Sequence, residues 1–402
     1  MVDVPRIISV DDHVVEPPNL WQDRLPAKYR DRAPRVERRR GHAGSASRSG
    51  SAWISDDSAP ETDVWVYDDL EWPLIRGYAH VGHRDQSALS GVTYDDILPG
   101  CFQQGERLRD MDRNHTEAAL AFPTFPRFCG QTFLERQDKD LALLCVKAYN
   151  DFMIDEWGAG DGYGRLIPLT LIPLWDPQLA AAEVRRCADK GSHAIAFSEA
   201  PYELGLPSIH SGHWDPLWDA CDETDTVVNM HIGSSSTLPT TSADAPMEVV
   251  PAINSINSIR CFVDWLLSGH LVDRPNLRIA LSEGQVGWMP FYMERVDSLW
   301  ERGDSYADIR RRIPERPSSY VDRMYGCIYD DVHGLQSHEA VGIDQIMFEI
   351  DYPHSDSTFP ESKAVAQKLA DAAGLNQEQT DKFVRGNAIT CYKLDQYFGI
   401  QR

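Results

Sequence analysis

Short apolar runs bounded by turn residues alternate with helix-like stretches along most of this 402-residue chain, and that rhythm constrains the fold more than any other feature. Eight runs stand out: "RIISVDDHV" (6–14), "EAALAFPTF" (117–125), "RLIPLTLIP" (165–173), "HAIAFSE" (193–199), "TVVNMHIG" (226–233), "LRIALSEG" (277–284), "RMYGCIYDD" (323–331) and "QIMFEIDYP" (345–353). Each has the length of a buried strand and falls short of a helix. Amphipathic patterns at 140–157, 178–190, 214–224 and 255–269 predict helices between several of them. Strands that alternate with helices build a parallel sheet, and eight such units fit a (β/α)8 barrel of the TIM type, one domain over 1–402. A doubly wound open sheet is the alternative, but no G-x-G-x-x-G follows the first run. Residues 30–105 break the rhythm with "RRRGHAGSASRSGSAWISDD", which predicts a long loop insertion after the first strand, able to cover the barrel mouth as a lid.

The net charge of −23 argues against the basic face that a nucleic acid or an anionic membrane requires, and favours small molecules or other proteins as partners. The eight cysteines are scattered without a C-x-x-C pair, which predicts buried thiols in a reducing, cytoplasmic setting. No apolar run approaches membrane-spanning length, and the first residues lack the pattern of a secretory signal.

In a barrel the chemistry sits at the C-terminal ends of the strands. Strand one ends with Asp11, His13 and Glu16, strand five with His231, strand six with Glu283, and strand eight with Asp351 and His354. Carboxylates and imidazoles dominate four separate strand ends, the pattern of a metal-ligand set rather than of solvated surface. The period of two along a strand puts Asp11 and His13 on one face and turns Asp12 away. Glu199 ends strand four, while His210 and His213 lie in the loop that follows and are candidates to touch substrate. His193, at a strand start, is expected to be structural. Trp53, Trp65, Tyr67, Trp72 and Tyr78 of the insertion are expected to pack a lid or a subunit contact.

The D-x-H of strand one, the lone histidine ending strand five and the aspartate ending strand eight resemble the amidohydrolase superfamily. So do "ERLRDMDRNHTEAALAFPTF", "LTLIPLWDP", "FEIDYPHSDSTFP" and "RGNAITCYKL". The branch is the one that includes aminocarboxymuconate semialdehyde decarboxylase and γ-resorcylate decarboxylase. That resemblance implies a divalent ion, zinc first, held by Asp11, His13, His231 and Asp351. Three positions depart from relatives. Val15 replaces the second histidine of an H-x-H, no lysine ends strand four, and Glu283 stands where the decarboxylases resemble "HGG" or "HMG". A glutamate beside a cation is a better ligand or base than an acid.

Glu16, Glu283 and His354 bring the possible ligands to seven, more than one ion needs, so a dinuclear iron or manganese centre is the alternative. The expected function is a metal-dependent hydrolase or decarboxylase of a small carboxylate or amide, with Asp351, Glu283 and His231 as catalytic candidates. A di-metal oxygenase and a non-catalytic metal-holding subunit are the other readings. The resemblance also implies a homo- or hetero-oligomer.

Overall fold

Every one of the eight apolar runs contains a strand. A computed structural model describes residues 2–47, 50–303 and 309–401. Among them twelve strands follow in order: β1 Ile7–Val14, β2 Arg35–Ser47, β3 Gly50–Ser55, β4 Glu61–Tyr67, β5 Leu70–Pro73, β6 Thr116–Pro123, β7 Leu166–Ile167, β8 Ala194–Phe197, β9 Val227–His231, β10 Ile279–Ser282, β11 Met324–Ile328 and β12 Ile346–Phe348. One parallel sheet has the order β1-β6-β7 and a second the order β12-β11-β10-β9-β8. These strands are apolar and buried along their whole length, as strands of a parallel sheet covered on both faces are.

The two parallel sheets are bonded to each other at both edges. Beyond β7 the Thr170 amide donates to Ala194 O at 3.0 Å, and the Ala196 amide to Thr170 O at 2.9 Å. At the other edge the Asp351 amide donates to Asp11 O at 2.8 Å, and the His13 amide to Tyr352 O at 2.5 Å. Strand β7 covers only two residues of a nine-residue run, because Pro168 and Pro173 have no N–H to give to a ladder.

Helices α1 (Gln104–Arg113), α2 (Lys139–Phe152), α3 (Pro177–Asp189), α4 (Asp215–Glu223) and α5 (Ser255–Ser268) fall between strands. The starts of α2 and α3 are capped by aspartates. Asp138 accepts from the Leu141 amide, and Asp176 accepts from the Gln178 and Leu179 amides ahead of Pro177. No helix among the described residues is long and apolar enough to cross a membrane.

The expected long loop at 30–105 instead carries a four-stranded antiparallel sheet over 35–73, order β3-β2-β4-β5. Strand β2 escapes an apolar-run search because its pairing partners are charged. Arg38 grips Asp63 of β4 with two bonds of 2.9 and 3.0 Å, and Arg40 reaches Glu61 at 3.3 Å. Further along the same face sits an apolar payload. Trp65 stacks on Phe125 beyond β6, ring centroids 4.8 Å apart, and meets Trp21 edge-on at 5.2 Å, which docks this sheet on the main core.

Candidate metal centre

Asp11 and His13 leave the same face of β1, as a two-residue period requires, and both are buried. His231 closes β9, and its Nδ1 lies 2.7 Å from the Ile232 carbonyl oxygen. A carbonyl only accepts, so Nδ1 carries the proton and Nε2 keeps a lone pair. That nitrogen stands 3.4 Å from Asp11 Oδ2 and 3.5 Å from Glu283 Oε1. His13 Nε2 lies 3.6 Å from Asp11 Oδ1 and 3.3 Å from Asp351 Oδ1, and His354 Nδ1 is 3.0 Å from that same oxygen. The rings of His13 and His354 stack with centroids 3.6 Å apart.

Two overlapping groups result, Asp11–His13–His231–Glu283 and His13–Glu283–Asp351–His354, each with ligand atoms within 4.8 Å of one another. Six of the seven strand-end residues picked from the sequence thus converge. Glu283 and Asp351 reach the group from left-handed backbone, φ 55° and 57°, a conformation that costs a side-chain-bearing residue and gathers at functional sites.

Seven polar atoms here are buried without a hydrogen-bond partner: both carboxylate oxygens of Asp11, both ring nitrogens of His13, His231 Nε2, Asp351 Oδ1 and Glu349 Oε1. Stripping water from a carboxylate costs several kcal/mol unless a partner replaces it. Burial, followed by the charges of Glu349, Glu283 and Asp351, pushes the Asp11 carboxyl well above the usual carboxylate range. Burial and the neighbouring His354 and His231 hold His13 well below the ordinary histidine value, so it is neutral and can offer a lone pair. Burial works against a charge on His231, yet Glu283, the Ile232 carbonyl and Asp351 lift its pKa. Oxygen and imidazole donors without a thiolate suit a divalent zinc, manganese or iron ion, and the orphaned atoms fit one.

The other residues singled out from the sequence lie elsewhere. Both oxygens of Glu16 accept backbone amides, of Thr124 and of Phe125, at 2.9 Å each, so this carboxylate pins the end of β1 to the end of β6. Glu16 is in neither donor group. His210 is exposed, 3.3 Å from Asp264, and His213 packs edge-on against Trp214. Glu199 holds the loop after β9 by accepting from the Gly233 amide, Ser235 Oγ and Asn257 Nδ2, each at 2.9 Å.

Burial raises the Glu16 pKa to about 7 against the two amide bonds that lower it. A carboxyl raised in the folded state binds more protons there than in the unfolded chain. Its contribution is full below about pH 4.5 and is lost as pH rises through about 7. Glu16→Gln is expected to flatten that fall in a stability profile taken by denaturant titration, and to leave metal content unchanged. Loss of the ion would make Glu16 a ligand.

Sequence reasoning missed several residues. Glu349 is two positions before Asp351, with its carboxylate buried in the cluster and accepting the Glu283 amide at 3.1 Å, so its signal was present in the period. Arg107 of α1 is wholly buried. It donates to Gly100 O at 2.8 Å and His13 O at 2.5 Å, and lies 3.7 Å from Asp12, which confirms that Asp12 turns away from the donors.

A cavity of about 380 Å³ opens on the cluster. His13, His231, Glu283 and His354 form one end; Phe128, Trp72 and Tyr78 supply aromatic walls. Phe128 stacks on His231 at 4.1 Å, and Trp72 on Tyr78 at 4.8 Å. Trp72 and Tyr78 belong to the insertion segment and line the cavity.

A family model described as amidohydrolase matches residues 62–394. The γ-resorcylate decarboxylase of Rhodococcus jostii (strain RHA1) is 22% identical over 328 residues, 76% of this chain and 92% of that protein. The crystal structure of an amidohydrolase from Mycobacterium avium subsp. paratuberculosis K-10 superposes with a TM-score of 0.71 at 19% identity, covering 96% of this chain and 99% of that one. A 5-carboxyvanillate decarboxylase from Novosphingobium aromaticivorans, complexed with manganese and 4-hydroxy-3-methoxy-5-nitrobenzoic acid, gives 0.62 at 16% identity, over 97% and 96% of the two chains.

Proposed function

Because the chain belongs to the amidohydrolase family, we propose that it is a divalent-metal carboxy-lyase acting on a small aromatic carboxylate. Its eight parallel strands are read as a closed (β/α)8 barrel, supported by the hydrogen bonds that join both edges of the two sheets. The chain is taken as one domain, with 30–105 as an insertion that brings Trp72 and Tyr78 to the cavity.

The observation that carries the reading is the buried donor cluster with its unpartnered atoms, placed at one end of an aromatic-walled cavity. Asp11, His13, His231 and Asp351 would hold the ion, with manganese favoured over zinc by the manganese-bound 5-carboxyvanillate decarboxylase. When bound, a divalent ion supplies Lewis acidity toward substrate oxygens. The chain's own part is orientation and proton transfer. Phe128, Trp72 and Tyr78 hold a flat ring, and the carboxylate carbon is lost as carbon dioxide while the ring carbon takes a proton. Glu283 lines the cavity beside His231 and is placed to act as a base that takes a proton from solvent and passes it to the ring carbon. The two overlapping donor groups also admit a second ion, which counting metals per chain decides. The decarboxylase relatives favour carbon–carbon cleavage over dioxygen chemistry.

The test is carbon dioxide release from a panel of hydroxybenzoates by manganese-loaded protein. Glu283→Gln is expected to lower turnover by about a hundredfold or more with the ion retained. Amide or ester hydrolysis without carbon dioxide release would assign the site to a hydrolase instead.

A further inference from the structure

Glu283 hangs on an uncommon piece of backbone. In the loop after β10, residues 283–287, Glu283 and Gln285 are both left-handed, φ 55° and 56°. Gly284 between them leaves no room for a side chain, since a Cβ there would lie 2.6 Å from Ser258 Oγ. Residues with side chains relax out of the left-handed region unless their neighbours hold them there. Here the hold is on the amides. That of Gln285 donates to Cys327 O of β11 at 3.2 Å, and those of Val286 and Gly287 donate to Asp331 Oδ2 at 2.8 and 2.6 Å. The amide of Glu283 itself donates to Glu349 Oε2 at 3.1 Å.

Glu349 stands one residue beyond β12, where its own amide donates to Ile328 O at 3.1 Å and ties it to β11. Its side chain is fully buried, and Oε1 has no hydrogen-bond partner. A buried carboxylate with an unbonded oxygen is costly, so stability alone gives no reason for an acid at this place. What that carboxylate reaches is the backbone of Glu283, whose own Oε1 stands 3.5 Å from His231 Nε2 at the cavity wall. Glu349 itself is neither in the cavity lining nor in either donor group. We propose that Glu349 is a positioning residue: it holds Glu283 on left-handed backbone and so sets where the base stands against the substrate ring. The backbone fixes the direction of the Cα–Cβ bond, so a return of Glu283 to the extended or right-handed region carries its carboxylate away from His231. This assignment rests on the carboxy-lyase reading and adds to it the group that aims the base.

Kinetics of the manganese-loaded proteins, with metal content recorded for each, test it. Glu349→Met is expected to lower kcat for carbon dioxide release by about tenfold to a hundredfold, with KM and metal content unchanged. Glu349→Gln keeps an oxygen for the amide and is expected to recover most of that loss. In a Glu283→Gln background Glu349→Met is expected to cost nothing further, because a residue that acts through Glu283 has nothing left to aim. A crystal structure of Glu349→Met is expected to show Glu283 off left-handed backbone and its carboxylate away from His231. Equal losses in the Met and Gln variants would assign the effect to charge, and lost manganese would assign it to ligation; each overturns the proposal. So does a Glu349→Met protein that turns over like wild type, or one whose Glu283 keeps its place in the crystal. Should Glu349→Met fail to fold, Glu349→Gln decides: turnover lost with the ion retained overturns the proposal. No carbon dioxide from wild type would overturn the carboxy-lyase reading alone and leave the crystal structure to judge the hold on Glu283.

Discussion

A His231→Ala protein is expected to leave purification with its metal lost and its activity abolished, while its far-ultraviolet circular dichroism stays that of wild type. Removing a group that merely orients a ligand costs 10- to 100-fold in affinity, and removing the ligand costs at least as much. The backbone has no reason to change, because β9 is fixed by ladders to β8 and β10 on either side. Asp351→Asn is expected to lose metal in the same way, with a telling difference in the metal-free form. Asp11 is pushed up by burial and by the charges of Glu349, Glu283 and Asp351, so neutralising one of those charges relieves repulsion. Chelator-treated Asp351→Asn should therefore melt no lower than chelator-treated wild type, whereas added manganese should stabilise wild type alone. Elemental analysis and thermal melts read both results. Full metal content in either variant would remove that residue from the ligand set.

The second large effect lies outside the cavity. Arg107→Met is expected to destabilise the fold by about 3–5 kcal/mol, the cost of leaving a buried charge without its partner. The guanidinium faces Asp12, whose carboxyl burial raises to about 7 while Arg107 lowers it. It also lies over the Tyr352 ring at 4.2 Å, so methionine replaces the packing and not the charge. Adding Asp12→Asn to Arg107→Met should recover part of the loss in a denaturant titration. A single variant within about 0.5 kcal/mol of wild type would show that the pair contributes nothing.

The parallel strands and the donors were legible in the sequence for one reason: both follow a local period. Strands buried on two faces read as unbroken apolar runs, and candidate ligands at their ends interrupt those runs with carboxylates and imidazoles where a core residue is due. The helices at 140–157, 178–190, 214–224 and 255–269 emerged within a few residues of their patterns; the first passes beyond Phe152 into a wider turn over Met153–Trp157. What stayed hidden depends on partners far away in the chain. Strand β2 is a strand because Asp63 and Glu61 meet its arginines, and nothing in "RVERRRG" says so. Glu16 looked like a ligand by position, yet its oxygens are occupied by amides more than a hundred residues on.

The left-handed backbone at Glu283 and Asp351 has a further consequence on evolutionary time. Each position makes the molecule carry a local cost that glycine would relieve, and relieving it discards a carboxylate from the cluster. Drift at these two codons thus runs downhill toward glycine as soon as the chemistry ceases to be selected. A descendant that keeps the fold but reads glycine at both places trades two carboxylates of the cluster for backbone ease, so those two positions report whether the donor cluster is still under selection.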